Sequence, residues 1–208
     1  MWTSLGTWLK ALRSNKTEPS PSGGGTLHIT AQLNARLMPM DRGSLFEDPL
    51  DAELRAAGMG DTDGGGTQLT HSGEVDFCDV EIYVKDLSDE TLATIVEILE
   101  RLGAPKGSKL RSSGISSDVQ FGRFEGLAVY LNGTNLPADV YKNCDSNFVY
   151  SEFNRLMGRA GKVFSHWQGP TETALYLYGP SFAEMQAAIS DFLSTYPLCQ
   201  RCRVVQIA

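Results

Sequence analysis

Val80-Glu81-Ile82-Tyr83-Val84 and Thr173-Ala174-Leu175-Tyr176-Leu177 are the two stretches whose reading decides the fold. Each is a short run of β-branched, aromatic and aliphatic residues, the composition of a strand packed on at least one side. Each is followed by a polar break (86–89 and 179–181), then by apolar residues at helical spacing (91–102 and 182–195), then by a last extended segment. A constant offset of 93 carries Tyr83 onto Tyr176, Ser88 onto Ser181, Leu92 onto Met185, Val96 onto Ile189 and Leu99 onto Phe192. A repeat of that length is a folding unit used twice.

Outward from this core, Leu27, Ile29, Ala31, Leu33 and Ala35 alternate with polar residues over 27–37, which predicts a half-buried strand ended by Pro39. Asp48 with Pro49 behind it reads as the capped start of a helix reaching about Ala57. The glycine-rich 61–66 reads as a turn, 67–71 and 75–84 as a hairpin about Ser72-Gly73, and 109–112 as the closing strand. The second half keeps the order: strand 127–131, helix 147–157, hairpin strands 162–166 and 173–178, helix 182–195, closing strand 204–207. Strand–helix–strand–strand–helix–strand, twice, predicts an α+β protein of two tandem ferredoxin-like (βαββαβ) repeats with antiparallel sheets, spanning 26–113 and 119–208. Residues 1–25 precede them as an amphipathic segment carrying Trp2, Leu5, Trp8, Leu9 and Leu12 and a Pro/Ser/Gly linker over 17–25.

Composition bounds the class. The 208 residues are 41% hydrophobic and 21% charged, ordinary for a globular protein. No apolar run approaches the roughly 18 residues that span a bilayer, and the first residues lack the features of a secretory signal. Four scattered cysteines do not form a disulfide framework, which favours a reducing, cytoplasmic setting. Lys10, Arg13 and Lys16 precede the first acid, Glu18, so the remaining 15 basic residues face 25 acids, a net of −10. Such a body repels nucleic acid and steers towards basic partners.

Motifs of catalysis are absent from the pattern. Cys199-Gln200-Arg201-Cys202 is a CxxC, but Cys78 and Cys144 lack the paired spacing of a zinc ribbon, and the motif follows a helix instead of opening one. Neither glycine-rich stretch has P-loop spacing. No catalytic residue, cofactor or metal is therefore expected. His71 and His166 occupy comparable hairpin positions and are the candidates for a site between the repeats. Asp41, Arg42, Glu47, Asp48 and Asp51, with Asp76 and Asp79, read as a charged surface for a basic partner, and Phe46 and Tyr83 as its contact residues.

Over 37–51, LMPMDRGSLFEDPLD, and through Gly64-Gly65-Gly66-Thr67-Gln68, Gly73-Glu74-Val75-Asp76-Phe77-Cys78-Asp79-Val80 and Leu102-Gly103-Ala104-Pro105-Lys106-Gly107-Ser108, the chain resembles a family of small bacterial proteins associated with immunity, or toxin-neutralising, proteins of interbacterial competition. The resemblance covers about residues 27–110 and implies no catalytic residues. The expectation is a cytoplasmic, non-enzymatic inhibitor of a basic protein toxin. Two alternatives stand beside it: a structural or oligomeric adaptor, and a small-molecule-binding protein or enzyme with its site between the repeats.

Overall fold

The computed structural model describes residues 26–208; the amphipathic segment and linker expected over 1–25 lie outside the described residues. The first unit runs β1 (Leu27–Leu33), α1 (Pro39–Arg42), a π-helical turn (Gly43–Glu47), α2 (Asp48–Ala56), β2 (Gly60–Leu69), β3 (Val75–Val84), α3 (Asp89–Arg101) and β4 (Ser108–Arg111). A short β5 (Val119–Phe121) follows. The second unit runs β6 (Glu125–Asn132), α4 (Ala138–Asn143), α5 (Ser146–Met157), β7 (Lys162–Gln168), β8 (Glu172–Gly179), α6 (Phe182–Thr195) and β9 (Arg203–Gln206). The antiparallel sheets have strand orders β2-β3-β1-β4-β5 and β7-β8-β6-β9. Setting β5 aside, both follow the ferredoxin-like order, so the molecule is two tandem βαββαβ units.

The repeat holds at atomic detail. Ser88 and Ser181, one offset apart, are the N-caps of α3 and α6, each Oγ accepting from the third helical N–H (Thr91 and Glu184) at 3.3 Å. Val84 faces Leu27 across β3 and β1, and its counterpart Leu177 faces Leu127 across β8 and β6. In each unit one sheet face meets the helices. Ile29, Ala31, Leu33, Val80 and Ile82 pack with Phe46, Leu50, Leu54, Ile95 and Leu99. Leu127, Val129, Leu175 and Leu177 pack with Val149, Phe153, Met185 and Ile189.

Three local expectations are corrected. The glycine-rich 61–66 is no turn but the middle of β2, bulged between Thr62 and Gly65. The close approach of β3 explains its composition: a Cβ on Gly65 would sit 1.9 Å from the Asp79 carbonyl oxygen. Asp48 is no cap, because the chain is already helical from Pro39; its N–H bonds back five residues to the Gly43 carbonyl. The wider π turn accommodates Pro49 inside a continuous helical path, where a tighter helix would clash with the proline ring. Finally, the unit boundary moves, since β5 pairs with β4 and extends the first sheet to Phe121.

Replacing either Ser88 or Ser181 with alanine removes one cap, and each loss should cost about 1 kcal/mol in urea unfolding. Asp86 adds a pH term. Hydrogen bonds from the Ser88 hydroxyl, Thr91 hydroxyl and Ser88 N–H hold its carboxyl down to about 2, against 3.8 ordinarily. A depressed folded value means its stabilisation is complete above about pH 4 and is lost as pH falls towards 2. The melting-temperature gap between wild type and Asp86→Ala should therefore be constant above pH 5 and shrink below pH 4.

Candidate functional site

The decisive difference between the units is the fate of the sheet face turned away from the helices. In unit 2 that face carries Ala128, Tyr130, Ala174, Tyr176 and Tyr178, with Phe164, and it is buried in the core of unit 1. It closes over the end of unit 1 where β1 finishes. Phe164 lies 6.2 Å from Phe46 of the π turn and 5.0 Å from Tyr178. Gly103, after α3, is required here: a Cβ would fall 2.8 Å from Phe124 and 3.2 Å from Phe164.

One residue of unit 1, Arg36, is held by unit 2 through its N–H, its carbonyl and one guanidinium nitrogen. Its N–H donates to the Tyr178 hydroxyl at 2.8 Å, and its carbonyl accepts from the Ser165 hydroxyl. Its guanidinium donates to the Glu74 carboxylate and, at 2.7 Å, to the Tyr130 hydroxyl, and it stacks 5.5 Å from the Tyr176 ring centroid. Glu74 gathers the same groups, accepting from Tyr130 at 2.5 Å and Tyr176 at 2.8 Å. Burial pushes the phenols of Tyr176 and Tyr178 above their usual range, so both stay protonated, Tyr176 donating to Glu74 and Tyr178 accepting from the Arg36 N–H.

The equivalent face of unit 1 is open. It presents His28, Thr30 and Gln32 of β1, Phe77, Asp79, Glu81 and Tyr83 of β3, Asp61 and Gln68 of β2, and Lys109 and Arg111 of β4, all on one side by strand register. His28 stacks against Tyr83 at 5.2 Å and bonds Glu81, which also accepts from Thr30 at 3.0 Å. Both cations of β4 are engaged, Lys109 with Asp118 at 2.9 Å and Arg111 with Asp79 at 3.4 Å. Burial raises the Asp79 carboxyl despite Arg111. The Arg111 Nε, shielded from solvent, has no acceptor among the described residues. A recess lined by Arg55, Asp61, Tyr83 and Lys85 borders the face.

The residues expected to form one acidic surface are divided. Asp79 lies on the open face, whereas Asp41, Glu47, Asp48 and Asp51 belong to the helical layer on the other side of the sheet. Arg42 and Phe46 are architectural, not exposed contacts. Arg42, 6% exposed, pairs with Glu47 and donates to the Gly66 carbonyl at 2.8 Å and the Thr67 hydroxyl at 2.9 Å, pinning the π turn to β2. Phe46 is fully buried. Asp51 is raised by burial but held below the carboxylate range overall by Arg55 and the Thr62 N–H. Asp48 and Asp76 are exposed. Asp41 is raised by its partial burial, with His166 opposing. His166 thus faces Asp41 from an exposed position on β7, while His71 sits in the exposed β2–β3 turn; no hydrogen bond joins the two histidines among the described residues.

Sequence reasoning missed Arg36, Glu74, Tyr130, Ser165 and Tyr178 as a network. A signal did exist. Strands β6 and β8 are apolar or aromatic at almost every position, the mark of a sheet covered on both faces, whereas β1 and β3 alternate.

Neither a scan of the sequence against protein-family models nor a search of curated proteins gives a match. Among solved structures, a provisionally assigned monooxygenase from Lactobacillus acidophilus NCFM overlaps 88% of this chain and 94% of its own at 9% identity, with a TM-score of 0.30. The first two RRM domains of yeast poly(U) binding protein overlap 86% and 99% at 12% identity, with a TM-score of 0.23. At such scores neither overlap bears on function, and the fold rests on strand order. Among the described residues no helix is long and apolar enough to cross a membrane.

Truncating Glu74 to alanine strands Arg36 in a half-buried site and should cost about 3 kcal/mol in chemical unfolding. Glu74→Gln, which keeps an acceptor but loses the charge, should cost less. Equal stability of Glu74→Ala and wild type would show that the network is not what holds the seam.

Proposed function

We propose that this chain is a non-enzymatic, cytoplasmic binding protein of the immunity type, which neutralises a basic protein toxin by covering it. The observation that carries the reading is the open sheet face of unit 1. The same face of unit 2 is used to join the halves, which leaves one ready-made platform free among the described residues. Its aromatic residues, Phe77 and Tyr83, offer contact area at small entropic cost, and Asp61, Asp79, Glu81 and Asp118 surround them. The two cations of β4 pair with Asp118 and Asp79, and with Asp61 and Glu81 added the face carries more carboxylates than cations, which disfavours a phosphate backbone. The excess of acids supports fast, salt-sensitive association with a cationic partner.

Capture from the native host lysate tests this when wild type is run beside Glu81→Lys/Tyr83→Ala and beside Asp48→Lys on the helical side. The expected result is a stoichiometric basic protein retained by wild type and Asp48→Lys, weakened at high salt, and lost with the double variant. Equal retention by all three proteins, or an acidic partner, would overturn the assignment of this face.

A second reading draws on β2, a ten-residue strand at the edge of its sheet, whose outer side is unpaired among the described residues. Pairing between copies there would make an adaptor. It requires concentration-dependent mass in light scattering, which a monomeric inhibitor would not show.

A further inference from the structure

At the C-terminal end of α6, where neither the seam nor the open face reaches, three of the four cysteines come together. Cys199 closes a 3-10 turn (Pro197–Cys199) and is 2% exposed; Cys202 is half-buried and leads into β9; Cys144 follows α4. Tyr196 ties them: its carbonyl accepts from the Cys199 N–H at 2.9 Å, and its hydroxyl accepts from the N–H of Asp145, next to Cys144, at 3.2 Å. Beside them a recess of about 220 Å³ is lined by Cys144, Asp145, Tyr141, Leu131 and Leu198.

The CxxC itself is a closed β-turn. The Cys202 N–H donates to the Cys199 carbonyl at 3.1 Å, Gln200 has φ −61° and ψ 135°, and Arg201 has φ +59°. These are the angles of a type II turn, whose third position favours glycine. Arg201 is the only non-glycine residue with positive φ among the described residues. Its guanidinium is anchored to the Asn135 carbonyl at 3.0 Å. Unfavourable backbone held by its surroundings is a pointer to function, and here it sits between two thiols. A turn of this kind brings its first and fourth Cα atoms within about 7 Å, close to the 4.4–6.8 Å range that a disulfide requires.

We propose that Cys199 and Cys202 form a dithiol site that exchanges with small-molecule disulfides of the glutathione type to close a disulfide across the turn. The more exposed Cys202 attacks first. Its thiolate displaces one thiolate of the small disulfide and leaves a mixed disulfide on Cys202. The Cys199 sulfur, giving up its proton, then attacks the Cys202 sulfur and expels the second small thiolate. Two protein S–H bonds are exchanged for one S–S bond, and the small disulfide is reduced to two thiols. The site is a latch and not a thioredoxin-like centre. Burial pushes Cys199 up to about 12 and raises Cys202 as well. Among the described residues neither cysteine opens a helix, so neither thiolate has that stabilisation, exchange is slow and the reduced form gains nothing that would favour reopening. A metal does not fit in its place, because among the described residues no three His, Cys, Asp or Glu side chains are arranged to hold one. Closure clamps the turn that delivers β9 to β6, so oxidation should stabilise unit 2.

The test incubates the full-length protein with excess oxidised glutathione at about pH 8.5, then quenches with iodoacetamide and maps the peptides. The expected product has lost the mass of two hydrogens, keeps Cys78 and Cys144 reduced, and carries the link within one peptide spanning Cys199 and Cys202. Cys199→Ser should instead accumulate a single glutathione adduct on Cys202. Cys144→Ser should oxidise as wild type does. Four alkylated cysteines in the treated wild-type protein, or a bond from Cys144 to either partner, would overturn the proposal. Because the peptide map is read on the wild type, the outcome does not depend on whether the variants fold.

Discussion

The polar contacts that lock the two units together converge on Arg36. It follows β1, at the point where the first sheet has run out of partners, and its N–H, carbonyl and guanidinium all end on groups supplied by, or shared with, the second sheet. Glu74 completes the arrangement from the β2–β3 hairpin. A charged pair taken out of water is costly unless every donor and acceptor is satisfied. Here two tyrosine hydroxyls add hydrogen bonds to the Glu74 oxygen that meets the Arg36 guanidinium, and both come from unit 2. The same atoms would be poorly matched in a separated unit 1. The hydrophobic contact of Phe164 with Phe46 supplies area, but area tolerates sliding. The polar node fixes the register of one unit against the other.

That docking breaks the symmetry which the duplication created. Tyr83 and Tyr176 are equivalent by sequence and by position in the sheet, yet Tyr176 is 1% exposed and hydrogen-bonded inside the seam, whereas Tyr83 is half-buried, its ring tilted against His28 on the face that unit 2 does not join. The two faces have diverged in composition to match. Unit 2 uses Ala128, Ala174 and tyrosines that can be buried; unit 1 uses a net of charges that would be expensive to bury. A duplicated fold has thereby been divided into a supporting unit and a presenting unit.

Much of this was legible in the sequence, and the failures have physical causes. The repeat was readable because period-2 and period-3.6 patterns are local signals; the offset of 93 aligned Ser88 with Ser181, and the fold shows that both cap helices. The β2 strand was misread because glycine signals both turns and close backbone approach, and only the neighbouring Asp79 carbonyl distinguishes them. Arg42 and Phe46 looked like a binding surface because a charged and an aromatic residue beside carboxylates is what an interface contains. In the fold, Arg42 points inward to the Gly66 carbonyl and Thr67 hydroxyl of β2 and Phe46 to Phe164, contacts of long sequence separation that no local pattern encodes. At these positions the stretch 37–51 is a record of how the π turn is held.

The same reasoning separates what the two units are free to change. Residues of unit 1 that touch the Arg36 node are constrained by two sheets at once, so variation there is penalised twice. Residues of its open face answer only to whatever binds them. The turn at Cys199–Cys202 lies on neither surface, and its left-handed arginine contributes nothing to the seam. A glycine at position 201 would relieve the backbone at no cost to packing, since the Arg201 side chain is exposed and makes a single hydrogen bond to Asn135. An unfavourable conformation retained where relief is that simple fits a turn whose geometry matters more than its stability, and bringing two thiols within bonding reach is a geometry of that kind.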